Sequence, residues 1–427
     1  MQKPLCKMCR TTPSFRRIIS WNCRIGACRM KRTRGGFQAS NQGVSTAVTN
    51  VVADRIFGLT EDLPTTGRHA GFVKIPYSSD RSAYGFVPVP LAIVGGGTGP
   101  TLLLLSGIFG DEIDTQIAVA RLLRSLDPDT MNGRVIAMTM ANLPAAAAGT
   151  RHSPIDGRNL NKSFPGDVFG TPTSMIADYI ERHLMSLSDL VLDLHSDGQS
   201  LRYLPSATLV DHPDPEIQGR RLAMARAFGA DNLLRFRSFE DRSTSGAARR
   251  AGATRIGTEI GGPTPIETIM AGIMRLLNWA GMIAGPAPAA GEARLLLNQR
   301  EDDFVYALAN GIFEPAAQLG DVVAAGDLAG HIHDLTRPFA TPVAVIFAAP
   351  GIVVCTRGRG HAARGDCLMH LAIEADAEAL AERDEAAGLR WLSTQIATPA
   401  KRPGAAMPRK PSAKADRKPD KKTRHKE

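Results

Sequence analysis

The sequence predicts an α/β fold, and three observations predict it. Apolar strands at Thr101–Ser106, Val135–Met140 and Ser188–Leu194 alternate with two segments of helical spacing, the order that builds a largely parallel sheet. The first and last of these strands run out into polar or glycine-rich clusters, Gly107–Glu112 and Ser196–Ser200. Buried parallel strands look like this where their carboxyl ends open on a crevice. No apolar stretch approaches the ~20 residues that span a bilayer, so no membrane partner is expected.

Taken in order, Gly71–Pro76 and Ala83–Val89 read as strands around a polar Ser-Ser-Asp-Arg-Ser turn. Val94–Pro100 reads as a hairpin turn; no helix start or Lys-Ser/Thr follows its glycines to make a phosphate cradle. After the Thr101–Ser106 strand, Ile113, Ile117, Ala118, Ala120, Leu122 and Leu123 have near-helical spacing. Thr150–Gly166 is a long polar loop, and long loops in compact domains are usually functional. A helix from about Thr173 to Met185 feeds the strand ending Asp193-Leu194-His195. Pro213–Phe228 is helical, and Arg255–Ile260 is a strand. A last helix runs to about Met282, with Thr264 as N-cap and Pro265 at its first position. Beyond the Pro/Ala-rich stretch 285–291, short strands and Gly turns continue to about Ile373. Leu319–Gly330 has the cadence of a biotinyl-type turn without a lysine to carry a cofactor.

A chain of 427 residues exceeds one small core, so two domains plus tails are expected. The expected organisation is a basic N-terminal extension at 1–53, an α/β domain at 54–284 and a linker at 285–291. A small β domain with a terminal helix fills 292–398, and a basic tail 399–427. Both ends are expected to be disordered. The net charge of +9 is an effect of the ends: 1–53 carry +10 and 401–427 carry +8, which leaves −9 for 54–400. Nothing in the body argues for a nucleic-acid groove, and a solvated tail is the better reading of the basic C-terminal end.

Four of the six cysteines fall at Cys6, Cys9, Cys23 and Cys28. Their spacing loosely resembles a zinc ribbon, but strand alternation and knuckle turns are lacking. A transit-type presequence fits an Arg-rich, acid-free stretch. The favoured reading is an extension upstream of a start near Met30. Cys355 and Cys367 make no secreted disulfide framework, so a reducing cytoplasm is the default.

Asp193 and His195 are two residues apart, which places both on one face of a strand. A carboxylate beside an imidazole fixes its tautomer and raises its basicity, as suits a metal ligand. For this motif alone, a hydrogen-bonded strand-end histidine is the commoner outcome. Other strand ends shift the balance, because Glu112 and Glu259 converge on the same side.

Over about residues 60–375 the chain resembles the succinylglutamate desuccinylase/aspartoacylase family of zinc carboxypeptidase-like hydrolases. Within it, the chain is most similar to the N-acetyl-diaminobutyrate deacetylases of ectoine breakdown. The resemblance rests on Gly107–Glu112, Gly149–Asp167, Leu192–Ser196, Leu204–Ser206 and Thr258–Gly262. Each piece is weak alone, but five in family order are specific. The resemblance implies a mixed sheet flanked by helices with a smaller C-terminal β domain, and one Zn²⁺ per chain. In the family a Gly-x-His-Gly-x-Glu turn and the His of Asp-Leu-His-Ser supply the metal ligands. The matching positions here are Phe109, Glu112 and His195.

Glu112 and His195 are therefore the expected metal ligands, and Phe109 is a departure, since phenylalanine has no lone pair. A Glu–His pair alone binds zinc more weakly than three ligands; Asp111, Asp114 and His152 are the neighbours that could replace the missing donor. Glu259 matches the general base, against the plainer alternative of a salt-bridged strand-end acid. Arg151 matches the arginine that polarises the scissile carbonyl. Asn161 and Lys162 fall on the family's Asn-Arg pair, which holds the substrate carboxylate. Lysine there keeps the charge but loses the bidentate fork. Asn159 is a candidate for orienting the loop, whereas Asp156 and Arg158 read equally well as solvated charges. The implied function is a zinc-dependent deacylase of a small N-acyl amino acid. The alternative is a member that binds its ligand without turnover. A homo-oligomer is compatible with either.

Overall fold

The computed structural model describes residues 55–58, 63–237, 241–262, 264–298 and 300–375. The basic ends, the Cys6–Cys28 cluster and the expected terminal helix lie outside these residues. Along the chain, β1 (Arg55–Phe57), β2 (Thr66–Pro76), β3 (Phe86–Gly96) and β4 (Thr101–Leu105) precede α1 (Ile113–Ser125). Next come β5 (Arg134–Met138), α2 (Leu143–Ala148), α3 (Pro172–Tyr179), β6 (Leu190–Asp193), β7 (Arg202–Tyr203) and β8 (Ser206–Val210). They are followed by α4 (Pro215–Phe228), β9 (Asn232–Phe236), α5 (Thr244–Ala251), β10 (Thr254–Glu259) and α6 (Ile266–Trp279). The C-terminal strands are β11 (Arg294–Asn298), β12 (Phe304–Tyr306), β13 (Gly311–Pro315), β14 (Val322–Val323) and β15 (Leu328–His333). β16 (Val343–Ile346), β17 (Gly351–Thr356), β18 (Gly360–Ala362) and β19 (Cys367–Glu374) complete the set.

One large mixed sheet runs β1-β2-β3-β5-β4-β6-β10-β8-β9-β11-β19-β17-β14, with β12 beside β19 and β7 beside β17. β4, β6 and β10 are successive parallel strands with β6 in the middle, so their carboxyl ends open on one edge. β4 and β6 are buried along their whole length, because helices cover both faces; this is why their sequences are continuous apolar runs. One core joins the sheet to α1, α4 and α6, and the other joins it to α3 and α5.

The strand after the 285–291 stretch, β11, lies parallel to β9 and extends the main sheet. β13, β15, β16 and β18 form a separate four-stranded sheet around Phe313, Ile332 and Phe347. The C-terminal β region thus both completes the large sheet and adds a smaller one.

Four local expectations are corrected. Val94–Pro100 is not a hairpin, since β3 and β4 lie on opposite sides of β5. Its glycines serve close packing instead: a Cβ on Gly96 would stand 1.7 Å from the Pro128 carbonyl oxygen. Ile113 and Ile117 face outward, 54% and 41% exposed, while Thr115, Ala118, Val119 and Leu122 form the buried stripe of α1. The cap of α6 is Pro265, not Thr264. The β6 strand ends at Asp193, so His195 lies just beyond it.

Candidate active site

Three turns meet at the carboxyl edge. The turn after β4 is anchored by Ser106, whose hydroxyl donates to the Thr139 carbonyl (2.9 Å), and by the Asn142 amide donating to the Gly107 carbonyl (2.9 Å). Gly110 is required for close approach, because a Cβ there would lie 2.1 Å from the backbone of Ala145. Its amide donates to the Thr150 carbonyl at 3.0 Å, so the polar loop begins directly over the turn. The turn after β6 is tied to β10: the Thr258 hydroxyl donates to the His195 carbonyl (3.0 Å), and the Ile260 amide donates to the same oxygen (3.1 Å).

These ties put Glu112 against His195, with Nδ1 2.9 Å from Oε2. The Ser196 amide also donates to that oxygen at 3.4 Å. The other ring nitrogen, Nε2, is 3.1 Å from Asp193 Oδ2. The predicted Asp–His contact therefore exists, although His195 is outside the strand. Asp193 in turn accepts from the Thr244 hydroxyl (2.6 Å) and from Arg255 (2.5 Å). Glu112, Asp193, His195 and Arg255 are all less than a tenth exposed.

Burial opposes a charged imidazole, yet Asp193 and Glu112 on its two sides hold the His195 pKa well above the ordinary value. Burial alone would raise Asp193, but His195 and Arg255 hold it well below the usual carboxylate range. For Glu112 burial outweighs the attraction of His195 and the pKa is raised. Glu259 stands at the end of β10. Burial, with Glu112 nearby, pushes its carboxyl up to about 8 against the pull of His195 and Arg151. Among the described residues the Glu259 carboxyl makes no hydrogen bond or ion pair, so the salt-bridged alternative is not what the structure shows.

Phe109 is buried, its ring centroid 5.2 Å from that of His195. The exposed Arg151 lays its guanidinium over the Phe109 ring, 3.6 Å from the centroid. None of the three proposed replacements supplies a third donor. Asp111 accepts from the Gln199 amide (3.0 Å), Asp114 accepts from the Gly262 amide (3.0 Å), and His152 is exposed. Among the described residues no group of three His, Cys, Asp or Glu side chains is placed to hold a metal ion. Glu112 and His195 fit two places of a zinc site, but the donor set as a whole does not fit a three-ligand one.

Asn161 is half-buried, and its carbonyl oxygen accepts from the Thr244 amide (2.9 Å) and hydroxyl (3.2 Å). It thereby ties the polar loop to the start of α5 and to the Asp193 network. Lys162 follows on the same short turn, Leu160–Lys162, and is exposed. Asp156 is not a free loop charge; it accepts from the Thr173 amide (2.9 Å) and hydroxyl (2.8 Å) at the start of α3. Arg158 is exposed. Three partners escaped sequence reasoning. Thr244 and Arg255 brace Asp193, and a charge inside the buried strand Thr254–Glu259 was the available signal for Arg255. Tyr203 was the third: on β7 it pairs with the buried Cys355 of β17, which joins the crevice loop to that strand.

Residues 98–277 match the family model of the succinylglutamate desuccinylase/aspartoacylase catalytic domain. The chain is 36% identical over 320 residues to N-alpha-acetyl-L-2,4-diaminobutyric acid deacetylase of Halomonas elongata, covering 73% of this chain and 94% of that protein. A succinylglutamate desuccinylase/aspartoacylase of Rhodobacter sphaeroides superposes with a TM-score of 0.69 at 34% identity, over 74% of this chain and 98% of the other. The product-bound ectoine utilization protein of Ruegeria pomeroyi superposes with a TM-score of 0.70 at 33% identity, over 74% and 97%.

Proposed function

The chain belongs to the succinylglutamate desuccinylase/aspartoacylase family, and from that premise we propose that it is a deacylase whose crevice takes a small N-acylated amino acid. N-alpha-acetyl-L-2,4-diaminobutyric acid is the first candidate, on the similarity to the Halomonas elongata enzyme. One observation carries this reading: Glu259, Arg151 and the Glu112–His195 pair converge at the end of three parallel strands.

In this reading Arg151 offers its guanidinium to the acyl carbonyl, where charge develops as the amide is attacked. Glu259, with a carboxyl pKa of about 8, exchanges a proton readily near neutral pH and serves as base towards water and acid towards the leaving amine. Asn161 and Lys162 lie on the loop that would meet the substrate carboxylate, with Lys162 supplying charge without a fork. Zinc, if bound, would supply Lewis acidity and would be held by Glu112 and His195. With two protein donors it is expected to dissociate readily.

Phe109 favours a second reading, in which the ligand is bound and not hydrolysed. Elemental analysis after dialysis, on the natural chain and on Phe109→His, separates the two when paired with acetate release from N-acetyl-diaminobutyrate. Acetate release by the natural chain supports the deacylase. Release by the zinc-loaded Phe109→His protein alone supports binding without turnover. No release and no binding by either protein refutes both readings.

A further inference from the structure

The place of Phe109 beneath Arg151 has a consequence beyond the loss of a donor. A guanidinium is planar and weakly hydrated, and when it lies flat on an aromatic face its N–H donors remain free in its own plane. The guanidinium carbon of Arg151 stands over the ring, 3.6 Å from the Phe109 centroid, and among the described residues its side chain makes no hydrogen bond or ion pair. The loop that carries it is fixed one residue earlier by the Gly110–Thr150 bond of 3.0 Å. Its charge acts on the buried Glu112 and the half-buried Glu259, both of whose carboxyls feel it. A metal ion beside this ring would repel the guanidinium. An apolar ring attracts it.

We propose that Phe109 is a positioning residue, a platform beside His195 that holds the Arg151 guanidinium so that this chain takes an oxygen of its ligand on Arg151 without a metal. The proposal rests on the N-acyl amino acid reading above and gives it a mode of recognition. The ligand must present a carbonyl or carboxylate oxygen to an in-plane guanidinium edge. Phe109 sets the tightness of that contact by restricting where Arg151 can point.

The experiment is calorimetric titration of N-acetyl-diaminobutyrate into the full chain after exhaustive dialysis against EDTA. Binding should persist without metal and change less than twofold on adding zinc. Phe109→Leu, which keeps an apolar side chain but removes the aromatic face, should weaken binding about fivefold, the size of a modest cation–π contact. Phe109→Tyr, which keeps the face, should restore it. Arg151→Lys is an exposed change that does not threaten folding, and it should weaken binding at least as much. In the Phe109→Leu/Arg151→Lys double variant the losses should be less than additive, because the two residues act as one unit; a merely structural role for Phe109 would give additive losses.

Binding that vanishes in EDTA and returns with zinc overturns the proposal, as does a Phe109→Leu protein that binds like the natural chain. If zinc-loaded Phe109→His binds the ligand while the metal-free natural chain does not, the platform fails and the N-acyl amino acid reading survives. If neither protein binds any N-acyl amino acid, that reading falls and takes the proposal with it.

Discussion

Replacing Glu259 by glutamine should stabilise the metal-free protein, increasingly so as the pH rises. The carboxyl titrates near 8 in the folded chain against an ordinary 4.5. Between these values the folded state holds a proton that the unfolded state has released, so unfolding free energy falls as pH rises. The contribution is fully present below 4.5 and is lost as pH passes through 8. At about 1.36 kcal/mol per pKa unit, the natural chain should lose up to about 3 kcal/mol by pH 7 relative to its value in mild acid. Glutamine has the same shape and no charge, so Glu259→Gln lacks this slope. Urea unfolding of both proteins at several pH values from 5 to 8, after EDTA dialysis, reads the difference directly. Glu112 and His195 are present in both, so most of their own titration cancels. Curves that run parallel across this range would refute the claim that burial holds Glu259 protonated.

Other outcomes follow from the same geometry. If Glu259 is the proton-transfer group, Glu259→Gln should also lower acetate release by about 10²–10⁴-fold, measured by steady-state assay with the fold intact. Asp193→Asn leaves the buried Arg255 guanidinium without its counter-charge and should cost roughly 3–5 kcal/mol in urea unfolding. Thr244→Val keeps the side-chain volume but removes the donor to Asp193 and a donor to Asn161; a loss of about 1–2 kcal/mol is expected, together with weaker ligand binding by calorimetry. Gly110→Ala forces a methyl group into the Ala145 backbone and should lower the thermal midpoint, with a cost of roughly 1–3 kcal/mol.

Much of the site was legible because its signals are local. Glu112, His195 and Glu259 sit at or just past strand ends, and short motifs mark such ends whatever surrounds them. Phe109 was recognisable as a misfit, since a side chain's lack of a lone pair does not depend on its environment. The Asp193–His195 contact was anticipated from a shared strand face, yet β6 stops at Asp193 and the Thr258 bonds to the His195 backbone set the ring's place. The outward faces of Ile113 and Ile117 show the limit of apolar spacing: the stripe of α1 was readable only to within a turn's rotation.

The sequence by itself determined the alternation of strands and helices, the acidic body between basic ends, and the residues that crowd the crevice. These follow from periodicity, charge and motif order, which are properties of neighbouring positions. Only the tertiary structure decided that β3 and β4 straddle β5, that Arg255 braces Asp193 from 62 residues away, that Asp156 holds the start of α3, and that Arg151 lies on Phe109. Each of these depends on which strands and loops become neighbours. That choice is made by burying the sheet on both faces at once, and no short stretch of the chain records it.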